Sequence, residues 1–380
     1  MRFVHISDLH LGKRVNEFSM IEDQRYVLEQ VIDIIIKEHA DAVLIAGDVY
    51  DKAVAPAEAV VLFDTFLTRL SQLKFPVCII SGNHDSAERI AFGASVFQKE
   101  NIYIAPVFDG TLKKASFTDE YGEADVYMLP FIKPSTVKRF YDEEVGSYTE
   151  AVSQVLKNTP IDKRKRNVLL AHQFVTGAVR CDSEEIVVGG LDNVDSSVFA
   201  DFDYVALGHI HNAQRAGADT IRYCGTLLKY SFSEAKHEKS VTVVDLKEKK
   251  SPPVIRTVPV KPLHDLREIK GMYSELTLRE NYIHTAVNDY MHITLTDEED
   301  IPDAVGKMRS IYPNIMKLDY DNARTRSSRM ITEPEEVKQR TPMELFEEFY
   351  ELQNNQEISD CQKEYLQTLI QKVWRNERDI

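Results

Sequence analysis

The chain has 380 residues, 43% hydrophobic and 28% charged, with 46 basic against 61 acidic side chains and a net charge of −15. That length predicts two or three domains with real cores, and with no apolar run long enough for a bilayer the chain is expected to be soluble. The acidity argues against strong autonomous DNA binding, though net charge does not describe a single cleft and a DNA substrate stays open.

No charged and apolar leader stands before the first strand, and Cys78, Cys181, Cys224 and Cys361 are widely spaced with no CxxC pair. A cytoplasmic protein without a disulfide framework or zinc finger is expected. Residues 3–6 form a short apolar run that reads as a buried strand and delivers Asp8 and His10, with Gly12 permitting a kinked loop. Residues 22–39 carry apolar side chains at 27, 28, 31, 32, 34, 35 and 36, which is helical spacing. A second strand at 42–45 ends on Gly47 and Asp48, and a second helix at 56–73 opens on Pro56, where a missing N–H is harmless. Strands at 77–80, 168–170 and 204–207 lead to Asn83 and His84, to His172, and to His209 and His211. The first 210 residues thus alternate strand and helix.

After residue 207 the texture changes. Runs at 241–246 and 254–260, joined by a charged turn with Pro252 and Pro253, read as a hairpin. The expected fold class is α/β (α+β in detail): two sheets packed face to face with helices outside, over residues 1–262. A small α+β capping domain follows at 263–320, with alternation at Met291, Ile293 and Leu295, a short helix at 302–312 and a strand at 315–320. Residues 321–340 are polar and read as a linker. Two amphipathic helices close the chain at 341–380. The first starts at a capping box of Thr341 and Glu344 with Leu345, Phe346, Phe349 and Leu352 on its apolar face; the second starts at Ser359 and Gln362 with Tyr365, Leu366, Leu369, Ile370 and Val373. Short helices of this kind are marginal alone. They pack on each other or, as the preferred reading, dock in the groove of a partner.

Side chains just past the carboxyl ends of neighbouring strands converge on one rim of a sheet. Asp8, His10, Asp48, Asn83, His172, His209 and His211 therefore form a candidate site whose two carboxylates, amide oxygen and four imidazoles suit two divalent cations. The Asp48 carboxylate can bridge two ions about 3.5–4 Å apart, and the Asn83 oxygen ligates without adding charge. His84, followed by Asp85, is placed to protonate a leaving oxygen, with the carboxylate orienting it. Lys13, Arg14 and Arg89 are candidate phosphate contacts, surface ion pairing being the plain alternative. The basic run 163–166 reads as a solvated connection. Any one of these strings alone is more often a turn or a structural imidazole; all five in this order are not.

D-x-H, GD-x-x-D, GNHD, a strand-end His and GH-x-H resemble the calcineurin-like metallophosphoesterase superfamily. MRFVHISDLHLGK, IAGDVYD, ISGNHDS followed by Arg89, ALGHIH, the segment 223–234 containing YSFSE, and KPLHDLREIKG from Lys261 are similar to the bacterial SbcD family of nuclease subunits within it. The resemblance implies one manganese on Asp8, His10, Asp48 and His211, a second on Asp48, Asn83, His172 and His209, and His84 as the catalytic imidazole. It also implies a manganese-dependent DNA exonuclease and hairpin endonuclease, a homodimer, double-stranded DNA ends and hairpins as substrate, and a coiled-coil ATPase of the SbcC type as partner. Iron and zinc stay open on ligand chemistry. No G-x-x-x-x-G-K-[ST] phosphate loop occurs, so ATP would be hydrolysed by the partner. Asp51 stands where archaeal relatives carry a second histidine. The rival expectations are a phosphatase of the same superfamily acting on nucleotides or phosphoproteins, and a non-catalytic scaffold on this fold.

Overall fold

The central apolar runs become strands buried on both faces, Ala42–Ala46 and Val77–Ile80 among them. A computed structural model of the chain describes residues 1–141, 144–184 and 192–330, and beyond them Met343, Phe346, Glu347, Tyr350, Ile358, Ser359, Gln362, Lys363, residues 365–367, Leu369 and Ile370. It divides into two units, Met1–Leu266 and Arg267–Ile380. Among the described residues no helix is long and apolar enough to cross a membrane.

Two six-stranded sheets make up the first unit. One runs Val254–Pro259, Ser240–Asp245, Arg2–Ile6, Ala42–Ala46, Val77–Ile80, Ile102–Ala105 from edge to edge. Its last four strands are parallel, while the expected hairpin, Ser240–Asp245 with Val254–Pro259, closes the other side antiparallel. The second sheet runs Gln214–Ala216, Ala218–Tyr223, Tyr204–Gly208, Arg166–His172, Gly122–Leu129, Lys113–Asp119, parallel through its four central strands. Its Lys113–Asp119 and Gly122–Leu129 pair is an antiparallel hairpin turning on Gly122 (φ +100°), where strict strand–helix alternation is expected. A polar edge strand, with Lys113, Lys114, Ser116 and Thr118 between its apolar positions, hides the period in composition.

Strand alternation divides the burial. Phe3, Ala42, Leu44, Cys78 and Ile80 of one sheet meet Val126, Met128, Val168, Leu170 and Tyr204 of the other in a shared core. The opposite face of the second sheet, with Tyr127, Leu129, Leu169, Val205 and Leu207, packs on Ala151, Val152 and Val155 of the helix Tyr148–Lys157, which opens on a Ser147–Glu150 capping box. The two expected helices form at Ile21–Lys37 and Ala57–Gln72, the second with Pro56 at its N-cap.

A second expectation fails inside this unit. Arg166, read as part of a solvated run, is 1% exposed. Its guanidinium pairs with Asp119 (3.0 Å to Oδ2) and donates to the carbonyls of Gly122 (2.6 Å) and Leu246 (2.9 Å). Strand alternation carries it into the interior, and five N–H donors in a fixed fork are what make a buried arginine tolerable there. The pairing and the amino terminus beside it hold the Asp119 carboxyl far below its ordinary range, against the opposing effect of burial.

The second unit has a three-stranded sheet, Leu266–Gly271, Tyr290–Leu295, Ile315–Tyr320, with the helix Ala304–Arg309 against it. Met291, Ile293, Leu295, Met308, Tyr312 and Ile315 form its core. A helix occupies Ala323–Met330, inside the stretch read as a linker. That reading used the lack of apolar residues, but a polar helix needs only caps and ion pairs. Here Asn322 accepts from the Thr325 N–H (3.1 Å), Arg324 pairs with Asp300 (2.8 Å) and Arg326 with Asp321 (2.8 Å). Residues 331–342 lie outside the described residues, as do Glu344, Leu345, Phe349, Leu352 and Val373. Of the closing helices, Met343, Phe346, Glu347, Tyr350, Leu366, Leu369 and Ile370 are helical. Lys363 pairs with Glu347 (3.1 Å) and Gln362 donates to the Tyr350 hydroxyl (3.0 Å), so the two segments touch. Phe346 and Leu369 stay 37% and 42% exposed.

The shared core sets a stability test. Leu170→Ala, fully buried between the sheets, should cost about 2–5 kcal/mol, whereas exposed Val254→Ala should change stability by less than about 0.5 kcal/mol. Urea midpoints of the two variants decide it; equal midpoints would contradict the packing.

Candidate metal centre

The parallel strands that carry the donors release their chains at one rim, and after Arg2–Ile6, Ala42–Ala46 and Tyr204–Gly208 the backbone turns left-handed. Asp8 (φ 51°), His10 (44°), Asp48 (48°) and His209 (102°) all have positive φ, as does Gly47 (86°). Such conformations in non-glycine residues cost of order 1–3 kcal/mol each and persist where the surroundings enforce them. The enforcement is visible. The Asp8 N–H donates to the Gly47 carbonyl (3.0 Å) and the His10 N–H to the Asp48 carbonyl (3.0 Å), so the first loop follows the second. The His209 N–H, from the other sheet, donates to both Asp8 oxygens (3.0 and 3.1 Å).

Only glycine fits at two points here, one where the two sheets meet and one between neighbouring loops of the first sheet. A Cβ on Gly208 would overlap the Ala46 carbonyl oxygen, and one on Gly82 would overlap the Asp48 carboxylate.

All seven expected donors are brought together. The Asp48 Oδ2 atom lies 3.4 Å from His172 Nε2, 3.8 Å from His10 Nε2 and 4.0 Å from His84 Nε2. Its Oδ1 accepts the His84 backbone N–H (2.9 Å), leaving one oxygen to face the centre. Asn83 Oδ1 sits 3.0 Å from His172 Nε2 and 2.9 Å from His209 Nδ1. His10 Nε2 and His211 Nε2 face each other at 3.1 Å. Asp8, His10 and His211 form one compact donor group, and Asp8, Asp48 and His172 another.

Electrostatics test whether this set fits cations. Burial pushes the His10 and His211 imidazoles well below their ordinary range, and His209 to about 3, so all three offer lone pairs. Burial, with the Asp48 charge near it, pushes the Asp8 carboxyl up to about 7. Burial also opposes the charged form of His172, but Asp48 outweighs it and raises the ring to about 9; the same attraction holds Asp48 far below its usual range. Two buried acids, several neutral imidazoles and an amide oxygen within a few ångströms form a mixed oxygen and nitrogen donor set that fits divalent cations.

The remaining expected residues separate. His84 stands beside the donors, and its Nδ1 meets the Asp51 carbonyl at 3.0 Å. Asp85 has a different use from the one expected. Its oxygens accept the backbone N–H groups of Gly82 (2.9 Å), Val49 (3.1 Å) and Tyr50 (2.9 Å), tying the Asn83 turn to the Asp48 loop, while a carbonyl orients His84. Lys13 pairs with Asp51 (2.6 Å) and lies 5.5 Å from the Tyr230 ring centroid. Arg14 donates to the Glu17 carbonyl, and both Arg14 and Arg89 are exposed.

Gln24 and Phe131 at the centre were not singled out by the sequence, and Tyr230 stands there only within the segment 223–234. Gln24 donates to the His10 carbonyl (2.8 Å) and the Tyr230 hydroxyl (3.0 Å), and Tyr230 donates to the Leu9 carbonyl (2.6 Å). Phe131 stacks on His209 with ring planes 19° apart. Gln24 is a polar residue buried on a helix, a sign visible only once the helix's inner face is known.

The model of the calcineurin-like phosphoesterases matches residues 1–213, and a second, described as the type 5 capsule protein repressor C-terminal domain, matches residues 262–354. The chain belongs to the calcineurin-like phosphoesterase family, an α/β family of metal-dependent hydrolases. It is 33% identical over 379 residues to the SbcD subunit of the nuclease SbcCD from Staphylococcus epidermidis, covering 97% of this chain and 98% of that protein. A dimetal phosphatase from Danio rerio of known structure aligns at 13% identity and a TM-score of 0.38, over 68% of this chain and 98% of that one.

The shifted groups fix a pH dependence. A cation taken up by these donors would displace a proton from His172 below about pH 9 and a second from Asp8 below about 7. Apparent manganese affinity should therefore rise about tenfold per pH unit between these values and more steeply below them. Calorimetry in buffers of different ionisation heat reads the released protons; affinity independent of pH from 6 to 9 would contradict the donor set.

Proposed function

We propose that the chain is the nuclease component of an SbcCD-type complex, a manganese-dependent DNA phosphodiesterase that degrades double-stranded ends, opens hairpins and acts in recombination, replication and break processing. The observation that carries this is the convergence of seven donor side chains and His84 at one rim, in a chain similar over nearly its whole length to the staphylococcal SbcD protein. Asp8, His10, Asp48 and His211 hold one ion; Asp48, Asn83, His172 and His209 hold the other. Bound there, the ions supply an activated water and neutralise phosphoryl charge.

The chain's own residues do the rest. His84, with Nε2 turned toward Asp48 and Nδ1 held by the Asp51 carbonyl, delivers a proton to the leaving oxygen. Lys13, half-buried beside Asp51, is the best placed of the three basic candidates to contact a phosphate. Residues 263–320 form a small DNA-binding domain, and 341–380 dock on the coiled coil of an SbcC-type ATPase in the cytoplasm. The chain works as a homodimer.

The deciding experiment offers purified chain, with and without SbcC and ATP, labelled linear duplex, a DNA hairpin and a generic phosphomonoester. Cleavage of DNA over the monoester supports the nuclease; the reverse preference supports a phosphatase, and loss of all activity in metal-loaded chain supports a scaffold. His84→Ala should keep both ions by elemental analysis and lose at least about 10²-fold in cleavage rate. Metal loss in that variant would remove His84 from the proton-handling role.

Manganese should support cleavage far better than magnesium, because imidazole-rich sites favour later transition metals. Deleting residues 341–380 should keep manganese-dependent cleavage and abolish co-purification with SbcC. A truncated chain that still binds SbcC equally well refutes the docking role.

A further inference from the structure

One ligand of the centre is wired to a buried charge that the ligand set does not use. The Ser183 hydroxyl donates to Glu234 Oε1 (2.6 Å) and lies 2.7 Å from His211 Nδ1. A hydroxyl has one proton, and this one goes to the carboxylate. The ring nitrogen must then be the donor, so His211 carries its proton on Nδ1 and keeps the Nε2 lone pair toward His10 and Asp8.

Glu234 is 0% exposed, and its other oxygen pairs with Lys239 (2.5 Å). Lys239 also donates to the His211 carbonyl (2.9 Å) and the Thr226 hydroxyl (2.7 Å), and Glu184 accepts the His211 backbone N–H (2.7 Å). Ring and carbonyl of His211 are thus held by one network, and its amide by Glu184. His172 differs: its outer nitrogen donates to the neutral Ala46 carbonyl (2.7 Å).

The segment 223–234, conspicuous in the sequence yet without a single ligand, contributes Thr226 and Glu234 to this arrangement.

We infer that Glu234 is a positioning residue: acting through the Ser183 hydroxyl, it fixes the Nδ1–H tautomer and orientation of His211 and raises the basicity of Nε2. It thereby tightens the ion held by Asp8, His10, Asp48 and His211 and leaves the other ion unaffected. This rests on the two-cation reading above but concerns residues outside it. Outer partners of metal-bound imidazoles orient the ring and set its tautomer, and their loss costs about 10–100-fold in metal affinity. A purely structural Glu234–Lys239 pair would instead lower stability without singling out one ion.

Two measurements on the full chain test this. In metal-free wild type, nitrogen NMR of the His211 ring should show Nδ1 protonated and Nε2 bare; a ring protonated on Nε2 overturns the inference, whatever the metal content. In manganese calorimetry, Ser183→Ala should bind one of two ions about 10–100-fold more weakly with its metal-free melting midpoint unchanged, and Ser183→Thr, which keeps the hydroxyl, should recover wild-type affinity. Glu234→Gln should weaken the same ion. Wild-type binding of both ions by Ser183→Ala overturns the relay, as does a threonine variant no better than alanine. A wild-type chain that binds no manganese overturns the two-cation reading itself, while the NMR arm still reads the tautomer.

Discussion

The structure turns on how closely two sheets meet at one rim. Gly208 lies so near the Ala46 carbonyl that no side chain fits between them, and His172 donates to that same carbonyl from the neighbouring strand of the second sheet. Small inner residues on both sheets, Ala42, Ala46, Ala105 and Ala206 among them, allow this approach, while Phe3, Met128 and Tyr204 fill the space elsewhere in the shared core. Moving either sheet outward by one methyl group would separate Asp8 and Asp48 from the histidines of the second sheet. Core packing and site geometry are one constraint, because interiors packed to crystal-like density shift as units.

That proximity gathers charge where water is excluded. Buried carboxylates and imidazoles are costly unless paired or bound to a metal. Here His172 and Asp48 stabilise each other's charged forms, Asp8 is driven toward its neutral form, and three imidazoles are held neutral. The surrounding hydrogen bonds fix the loops and leave the donor atoms pointing inward. Asp85 shows the same economy, its carboxylate holding three backbone amides of two ligand loops in register.

The strand ends and the site residues were legible in the sequence because buried parallel strands read as continuous apolar runs and their polar successors stand out. Ala42–Ala46 with Asp48 is such a case, and Tyr204–Gly208 with His209 another. What was hidden had no such contrast. Arg166 looks like its solvated neighbours until strand register turns it inward. The edge strand Lys113–Asp119 and the helix Ala323–Met330 are polar by composition, the one at a sheet margin and the other held by caps and ion pairs. Ser183 and Glu234 are fifty-one residues apart and become neighbours only through the fold.

The left-handed backbone at Asp8, His10, Asp48 and His209 narrows the evolutionary alphabet of the centre. Among residues with a Cβ, aspartate, asparagine and histidine enter that region most readily, and the same types supply hard and borderline donors to divalent cations. Glutamate or cysteine at these positions would be judged twice, once by ligand reach or softness and once by main-chain torsion. Drift toward another metal chemistry is therefore barred by the loop conformations as much as by the donors, and a redesigned site would have to begin with the turns.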